Sequence, residues 1–211
     1  MMLDCYRKLP HHVKIMISLT KPGLKRIRSD LAEWRTPSEL KDICNQIREE
    51  VDGKTFFNKG GLTFITEAIV AADFGVERAA SRVRLTPEIE ERPDFELDFG
   101  DRIEKFEMVQ ADRRGRRRGD EYRAKAELPA DTVIHLGAPL PDEITEMVRT
   151  AACKKAKPYP SGTRLIIYLE APKFRSDEAL LGATFTNAVH DARPFFSAIW
   201  VMWQGIPYEI S

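Results

Sequence analysis

Three acidic side chains stand out as candidates for chemistry: Glu67, Asp94 and Glu107. Glu67 is the only charged residue in the apolar run LTFITEAIVAA (62–72), and a buried carboxylate without a partner is costly. Asp94 follows a proline at the start of one alternating run, and Glu107 lies in the next run along the chain. Grouped carboxylates become favourable when they share a divalent cation, because hard cations such as Mg²⁺ take oxygen ligands. The chemistry that this set predicts is metal-assisted hydrolysis.

A β-hairpin is predicted for the segment RPDFELDFGDRIEKFEMVQ (92–110), because apolar and charged residues alternate on either side of a Gly-Asp pair. A two-residue loop with glycine first is typical of a type II′ turn. In that register Phe95 faces Phe106 and Asp94 faces Glu107. Like charges directly opposite one another destabilise a sheet, so water, a raised pKa or a cation must offset the repulsion between these two acids.

The elements that position the acids follow from capping and periodicity. Thr36-Pro37-Ser38-Glu39 reads as a capping box with proline at the first helical position, and the helix it starts is expected to end near Gly53. The first 35 residues are basic and allow either a strand near 13–19 or a short helix. The other predicted elements are a buried helix over 62–72, a strand at 82–85, a helix from Pro141, strands at 164–169 and 197–203 with a helix between them within 177–192, and a last strand at 207–210.

This order of elements predicts an α/β domain built on a mixed sheet. The hairpin region is expected to be an antiparallel meander. The two later apolar strands, which are joined through a helix, are expected to be parallel and covered on both faces.

Composition limits the function classes. The chain has 211 residues, and its 33 basic and 33 acidic side chains cancel, so a general basic character for nucleic-acid binding is absent. Charge is instead segregated: nine acids fall between 88 and 107, and seven basic residues between 113 and 125. Three scattered cysteines favour neither a disulfide framework nor a zinc site and suggest the reducing cytoplasm. Neither a membrane span nor a nucleotide-cofactor motif is predicted.

Pro93-Asp94, followed by Glu107 on the next strand, resembles the PD-(D/E)xK nuclease superfamily, whose fold is called restriction-endonuclease-like. The core of that family is a helix, a three-stranded antiparallel meander, a helix and a further strand, and the chain from about 62 to 203 follows that order. The resemblance implies an N-terminal basic and helical extension over 1–58 and the α/β core over 59–211.

The resemblance also implies an activity and a site. It implies a nuclease that hydrolyses phosphodiester bonds in DNA, with RNA not excluded. The implied metal is Mg²⁺ or Mn²⁺. A homodimer is compatible with this activity, since cutting both strands often needs two sites. Glu67, Asp94 and Glu107 are the implied metal ligands. The family's lysine belongs two residues after the second acid, where this chain has Val109, so Lys154 or Lys155 on the next helix is the candidate replacement. The nucleic-acid backbone is expected to contact Arg113, Arg114, Arg116, Arg117 and Arg118, because such contacts give affinity without sequence readout.

Structural roles are the alternative for each of these residues. Glu67 could pair with Arg82 or Arg84, and the two lysines could serve only the dipole of their helix. The whole chain could also be a catalytically inactive relative that acts as a nucleic-acid-binding or assembly module. In an unrelated α/β protein, the Asp94 and Glu107 side chains would lie far apart.

Overall fold

A computed structural model describes residues 20–51, 62–88, 93–113, 141–171 and 178–210 of the chain. Its centre is a mixed six-stranded sheet in which the strands lie side by side in chain order. The strands are β1 (Arg82–Leu85), β2 (Phe95–Asp98), β3 (Ile103–Ala111), β4 (Thr163–Leu169), β5 (Ile199–Trp203) and β6 (Ile206–Ile210). The helices are α1 (Lys21–Leu31), α2 (Pro37–Glu50), α3 (Thr63–Glu77), α4 (Pro141–Lys155) and α5 (Glu178–Ala188). The predicted α/β class with a mixed sheet flanked by helices is confirmed.

Helix α2 begins at the predicted capping box. The Glu39 amide donates to Thr36 Oγ1 at 3.3 Å, and the Thr36 amide donates to Glu39 Oε2 at 2.9 Å. The hydrogen bond from the Thr36 backbone holds the pKa of Glu39 below its ordinary value. The helix ends at Glu50, and the predicted stop at Gly53 lies outside the described residues.

Replacing Thr36 by alanine is expected to lower the free energy of unfolding by about 1 kcal/mol, because the first turn of α2 then loses a side-chain acceptor for its free amides. For a chain of this size the melting temperature should fall by about 2–4 °C. Thermal unfolding followed by circular dichroism measures the change. Ser38→Ala, two residues later on the exposed surface of the same turn, is the matched control. An equal shift in both variants would contradict the role of the cap.

The predicted hairpin is present with the predicted register. Phe95 pairs with Phe106 across β2 and β3, and their rings stack with centroids 5.1 Å apart. Gly100 in the connecting turn has φ +89°, a conformation that glycine adopts without strain. Strand β1 adds to β2 in antiparallel register, which completes the expected meander.

The middle strands of the sheet, β3 to β5, are parallel, and β4 and β5 were expected to be so. Strand β4 pairs parallel to β3, and β5 pairs parallel to β4, so that α4 and α5 lie in the two crossover connections. A turn at Gln204-Gly205, where both residues have positive φ, leads into β6 antiparallel to β5.

Apolar residues are buried on both faces of this sheet. One core lies under α1, α2 and α3 and contains Phe74, Phe106 and Trp200 in edge or tilted ring contacts. The other lies under α4 and α5 and contains Phe185 and Trp203. The meander therefore shares its first core with the N-terminal helices.

Several expectations fall partly outside the described residues. The expected boundary between residues 58 and 59 and the segment 13–19 both lie there. Residues 21–31, for which the sequence indicated no clear element, form α1, and its Ile27 and Leu31 are buried in the same core as α3. Among the described residues, no helix is both long and apolar enough to cross a membrane.

Candidate active site

Asp94 lies immediately before β2, where the regular hairpin pairing stops. Its amide donates to the Phe106 carbonyl at 2.9 Å, and its side-chain Oδ2 accepts the Met108 amide at 2.7 Å. The last regular pair is Phe95 with Phe106, so the predicted Asp94–Glu107 pair is replaced by a side-chain contact to the neighbouring strand. This contact fixes the carboxylate at the end of the meander.

Glu107 projects from β3 toward α4 and is almost fully buried, with 3% of its side chain exposed. Lys155, the last residue of α4, donates from Nζ to Glu107 Oε2 at 2.6 Å. The same ammonium lies 3.6 Å from Asp94 Oδ2. A cation therefore lies between the two acids and offsets the repulsion that the sequence predicts. The two carboxylates therefore do not lie far apart.

The surroundings of the Lys155 ammonium favour its charged form. Burial alone would lower the pKa of its ammonium, but the negative charge of Asp94 and the hydrogen bond and charge of Glu107 outweigh burial. The resulting pKa is above the ordinary lysine value. Lys155 is therefore protonated near neutral pH and acts as a fixed positive charge, not as a base.

Glu67 lies on α3, on the opposite face of the sheet from α4, close enough to respond to the same charges. Burial, which has the largest effect, and the charge of Asp94 raise the pKa of its carboxyl to about 7, against the lowering effects of Arg28 and Lys155. Glu107 also contributes in the raising direction. The three predicted acids thus form one electrostatic group built from α3, the start of β2 and β3.

The suggested pairing of Glu67 with Arg82 or Arg84 is wrong. Both arginines project from β1 toward acids on β2: Arg84 lies 2.6 Å from Glu96, and Arg82 pairs with Asp98. The cross-strand register brings those charges together before either arginine could reach α3.

The basic residue that lowers the pKa of Glu67 most is instead Arg28 of α1, whose guanidinium lies 5.9 Å from the centre of the Phe64 ring. Phe64 is three residues before Glu67 on α3, so both project from one side of that helix. No local signal in the sequence connects Arg28 to a residue so far along the chain.

The other predicted basic residues lie apart from the acids. Lys154 is exposed, because its side chain projects from α4 in a different direction from Lys155. Lys105 lies two residues before Glu107 on the same face of β3 and approaches Glu96 at 3.9 Å. Arg113 is partly exposed and lies 3.4 Å from Glu143. The four predicted arginines from 114 to 118 lie outside the described residues.

Val109 occupies the position where the resembled family carries its lysine, and the structure explains why the residue there is apolar. It projects from the same face of β3 as Glu107 and packs, partly buried, against the core beneath α4. A lysine there would have to enter that apolar core. The ammonium beside Glu107 comes from α4 instead.

Carboxylate oxygens from Glu67, Asp94 and Glu107 are ligands of the type that Mg²⁺ and Mn²⁺ take. Two of these acids already share one positive charge, that of Lys155. The donor chemistry therefore suits a hard divalent cation. In the described ranges, no three His, Cys, Asp or Glu side chains are grouped as a ready-made cation site.

Comparisons with known proteins found no match for this chain. The chain matches no protein-family model, no curated protein and no solved structure.

Proposed function

We propose that the chain is a divalent-metal-dependent nuclease that hydrolyses phosphodiester bonds in DNA. The observation that carries the proposal is the position of the Lys155 ammonium, 2.6 Å from Glu107 and 3.6 Å from Asp94. The PD-(D/E)xK resemblance requires a lysine whose ammonium lies beside two acids at the end of a β-hairpin. Here a neighbouring helix supplies the lysine.

The order of the elements supports the same proposal. Helix α3 is followed by the antiparallel strands β1, β2 and β3, then by α4 and by β4 parallel to β3. That order is the one expected of a restriction-endonuclease-like core. This order supports the proposal that the segment from α3 to β4 is a core of that kind.

In this proposal Asp94, Glu107 and Glu67 hold the cation. When bound, the cation supplies an activated water and positive charge at the phosphate. The hydrogen bond from the Met108 amide keeps Asp94 oriented, and the hydrogen bond from Lys155 does the same for Glu107. The Lys155 ammonium stabilises negative charge that develops on the phosphate oxygens. Glu67, with a pKa of about 7, has to lose its proton before its carboxylate can bind the cation.

The cleavage test uses plasmid and single-stranded DNA with Mg²⁺ or Mn²⁺ and, as the metal-free arm, EDTA. The proposal expects cutting only with the metal and binding of Mg²⁺ measurable by calorimetry. Product patterns from supercoiled plasmid also distinguish single nicks from cuts in both strands. Gel filtration measures the oligomeric state and so shows whether the protein that makes the paired cuts is a homodimer. Absence of cutting by a folded, metal-binding protein would overturn the catalytic proposal.

Lys155→Met is expected to lower the cleavage rate about 100-fold, because the fixed charge beside the phosphate is lost. Lys154→Met is the matched control: it removes the same charge from the same helix end, but its side chain is exposed and contacts neither acid. Thermal unfolding checks that both variants are folded. Equal rates for the two variants would remove Lys155 from the mechanism.

A second candidate function is a catalytically inactive nucleic-acid-binding or assembly module with the same fold. The observation that favours it is Val109, which fills the usual lysine position with an apolar side chain. This function predicts that DNA binds without being cut, whichever metal is present. Binding of DNA by the wild type in the absence of any cleavage would select it.

A further inference from the structure

A shallow pocket of about 400 Å³ opens beside the end of α4. Two short segments form its walls: the connection from α4 to β4, and the turn that precedes β5. The lining residues are Pro158, Tyr159, Pro160, Ser161, Gly162, Pro194, Phe195, Phe196 and Ser197.

Aromatic and rigid residues dominate this pocket. The Tyr159 and Phe196 ring centroids lie 4.8 Å apart at an angle of 35°, and both residues are partly exposed, although the Tyr159 hydroxyl is buried. Proline fixes the backbone on both walls, which lowers the entropy lost when a ligand binds. Ser197 Oγ donates to the Gly162 carbonyl at 3.1 Å and so ties one wall to the other.

The pocket adjoins the candidate active site. Tyr159 is four residues after Lys155, and its hydroxyl lies close enough to raise the pKa of Lys155 when the phenol is ionised. The opposite end of the same connection enters β4 at Thr163, which pairs with Lys105 on β3, two residues from Glu107. The acids contact Lys155, and the pocket begins three residues after it in the connection to β4.

Exposed lysines occur on the segments that adjoin the pocket: the end of α4, the connection after it, and β3. The Lys105 side chain is 51% exposed, and Lys154 and Lys157 are also exposed. An aromatic surface combined with positive charge is the usual arrangement for single-stranded nucleic acid, in which the bases stack on rings and the phosphates meet cations. An apolar small molecule would gain nothing from the lysines.

We propose that the Tyr159–Phe196 pocket binds one unpaired nucleobase of the substrate strand while the adjoining phosphate lies at Lys155. The inference rests on the proposed function and extends it to a substrate class: single-stranded DNA or an unpaired DNA end. A base within a duplex would have to leave its stack and its partner to enter the pocket, which costs a few kcal/mol. Fully paired DNA is therefore the poorer substrate.

Binding without cleavage tests the pocket. A short single-stranded DNA carrying 2-aminopurine, and the same DNA as a duplex, are titrated with wild-type protein in EDTA. Fluorescence anisotropy gives the affinity, and quenching of 2-aminopurine reports stacking. Tyr159→Leu and Phe196→Leu keep apolar bulk but remove the ring, and they are expected to weaken single-strand binding about 5- to 50-fold and to abolish quenching.

Two further variants keep the inference falsifiable. Tyr159→Phe retains the ring and should bind and quench as the wild type does. Phe99→Leu removes a partly exposed ring at the far end of the hairpin, where it lies under Arg102, and should leave single-strand binding unchanged. Thermal unfolding confirms that each variant is folded.

The outcomes separate this inference from the proposed nuclease. Loss of single-strand binding in the two leucine variants, with duplex binding little changed, supports the base pocket even for a protein that does not cut DNA. Unchanged binding in both leucine variants, or equal losses for single strand and duplex, overturns the pocket. Metal-dependent cleavage by the wild type would then still stand.

Discussion

Asp94→Asn and Glu107→Gln are each expected to lower the rate of Mg²⁺-dependent DNA cleavage on the order of 10³-fold. Each change removes one negative charge that the proposed cation requires and alters the size of the side chain very little. Asparagine can still accept the Met108 amide, and glutamine can still accept from Lys155. The fold should therefore survive while the chemistry is lost.

Initial rates on single-stranded DNA, with matched calorimetric titrations of Mg²⁺, measure this effect. Both variants should also bind Mg²⁺ more weakly than the wild type. Asp101→Asn is the control, since its carboxylate lies in the turn of the same hairpin with 72% of the side chain exposed. Rates within tenfold of the wild type in either site variant would show that the acid is not part of a catalytic centre.

The difference in the free energy of unfolding between Glu67→Gln and the wild type is expected to depend on pH. The folded wild type holds a proton on Glu67 up to a pKa of about 7, whereas the unfolded chain releases it near the ordinary value of 4.5. Between these values the folded state binds more protons than the unfolded state. The contribution of Glu67 to stability is therefore fully present below pH 4.5 and is lost as pH rises through 7.

Glutamine at this position stays neutral at every pH and escapes that loss. The variant should gain on the wild type as pH rises from 4.5 to 7, by on the order of 3 kcal/mol in total, and the gain should be constant above about pH 8. Urea unfolding in EDTA at several pH values measures it. Glu77→Gln, at the exposed end of the same helix, is the matched control. A difference for Glu67→Gln that stays constant with pH would mean that folding does not change the pKa of Glu67.

These two predictions concern different properties of the acidic group. The first depends on bound metal and on catalysis. The second is measured without metal and depends on burial and on the neighbouring charges of Asp94, Glu107, Arg28 and Lys155. A protein that passes the second test and fails the first would keep the electrostatic group without the nuclease activity, as the inactive binding module requires.

The local sequence determined the elements near the site. The capping box at Thr36, the alternation around Gly100 and the apolar runs of β4 and β5 each depend on residues within a few positions of one another. Short-range hydrogen bonding and periodicity are sufficient for such features. Because the hairpin register follows from its turn, the proximity of Asp94 and Glu107 was also predictable.

The tertiary structure decided which partners these acids have. Lys154 and Lys155 are equivalent by spacing, and only the packing of α4 on the sheet directs Lys155 to Glu107 and leaves its neighbour exposed. Glu67 lies near Arg28 instead of Arg82 or Arg84 because α1 packs beside α3, while the β1 arginines are held by their own cross-strand acids.

The physical reason is the range of the interactions. Capping, turn formation and alternation act between neighbours along the chain, so the sequence by itself specifies helices, strands and the hairpin. The charge on Lys155 and the raised pKa of Glu67 depend on burial and on contacts between α3, β3 and α4, which are far apart in the chain. Those contacts exist only once the two faces of the sheet are covered.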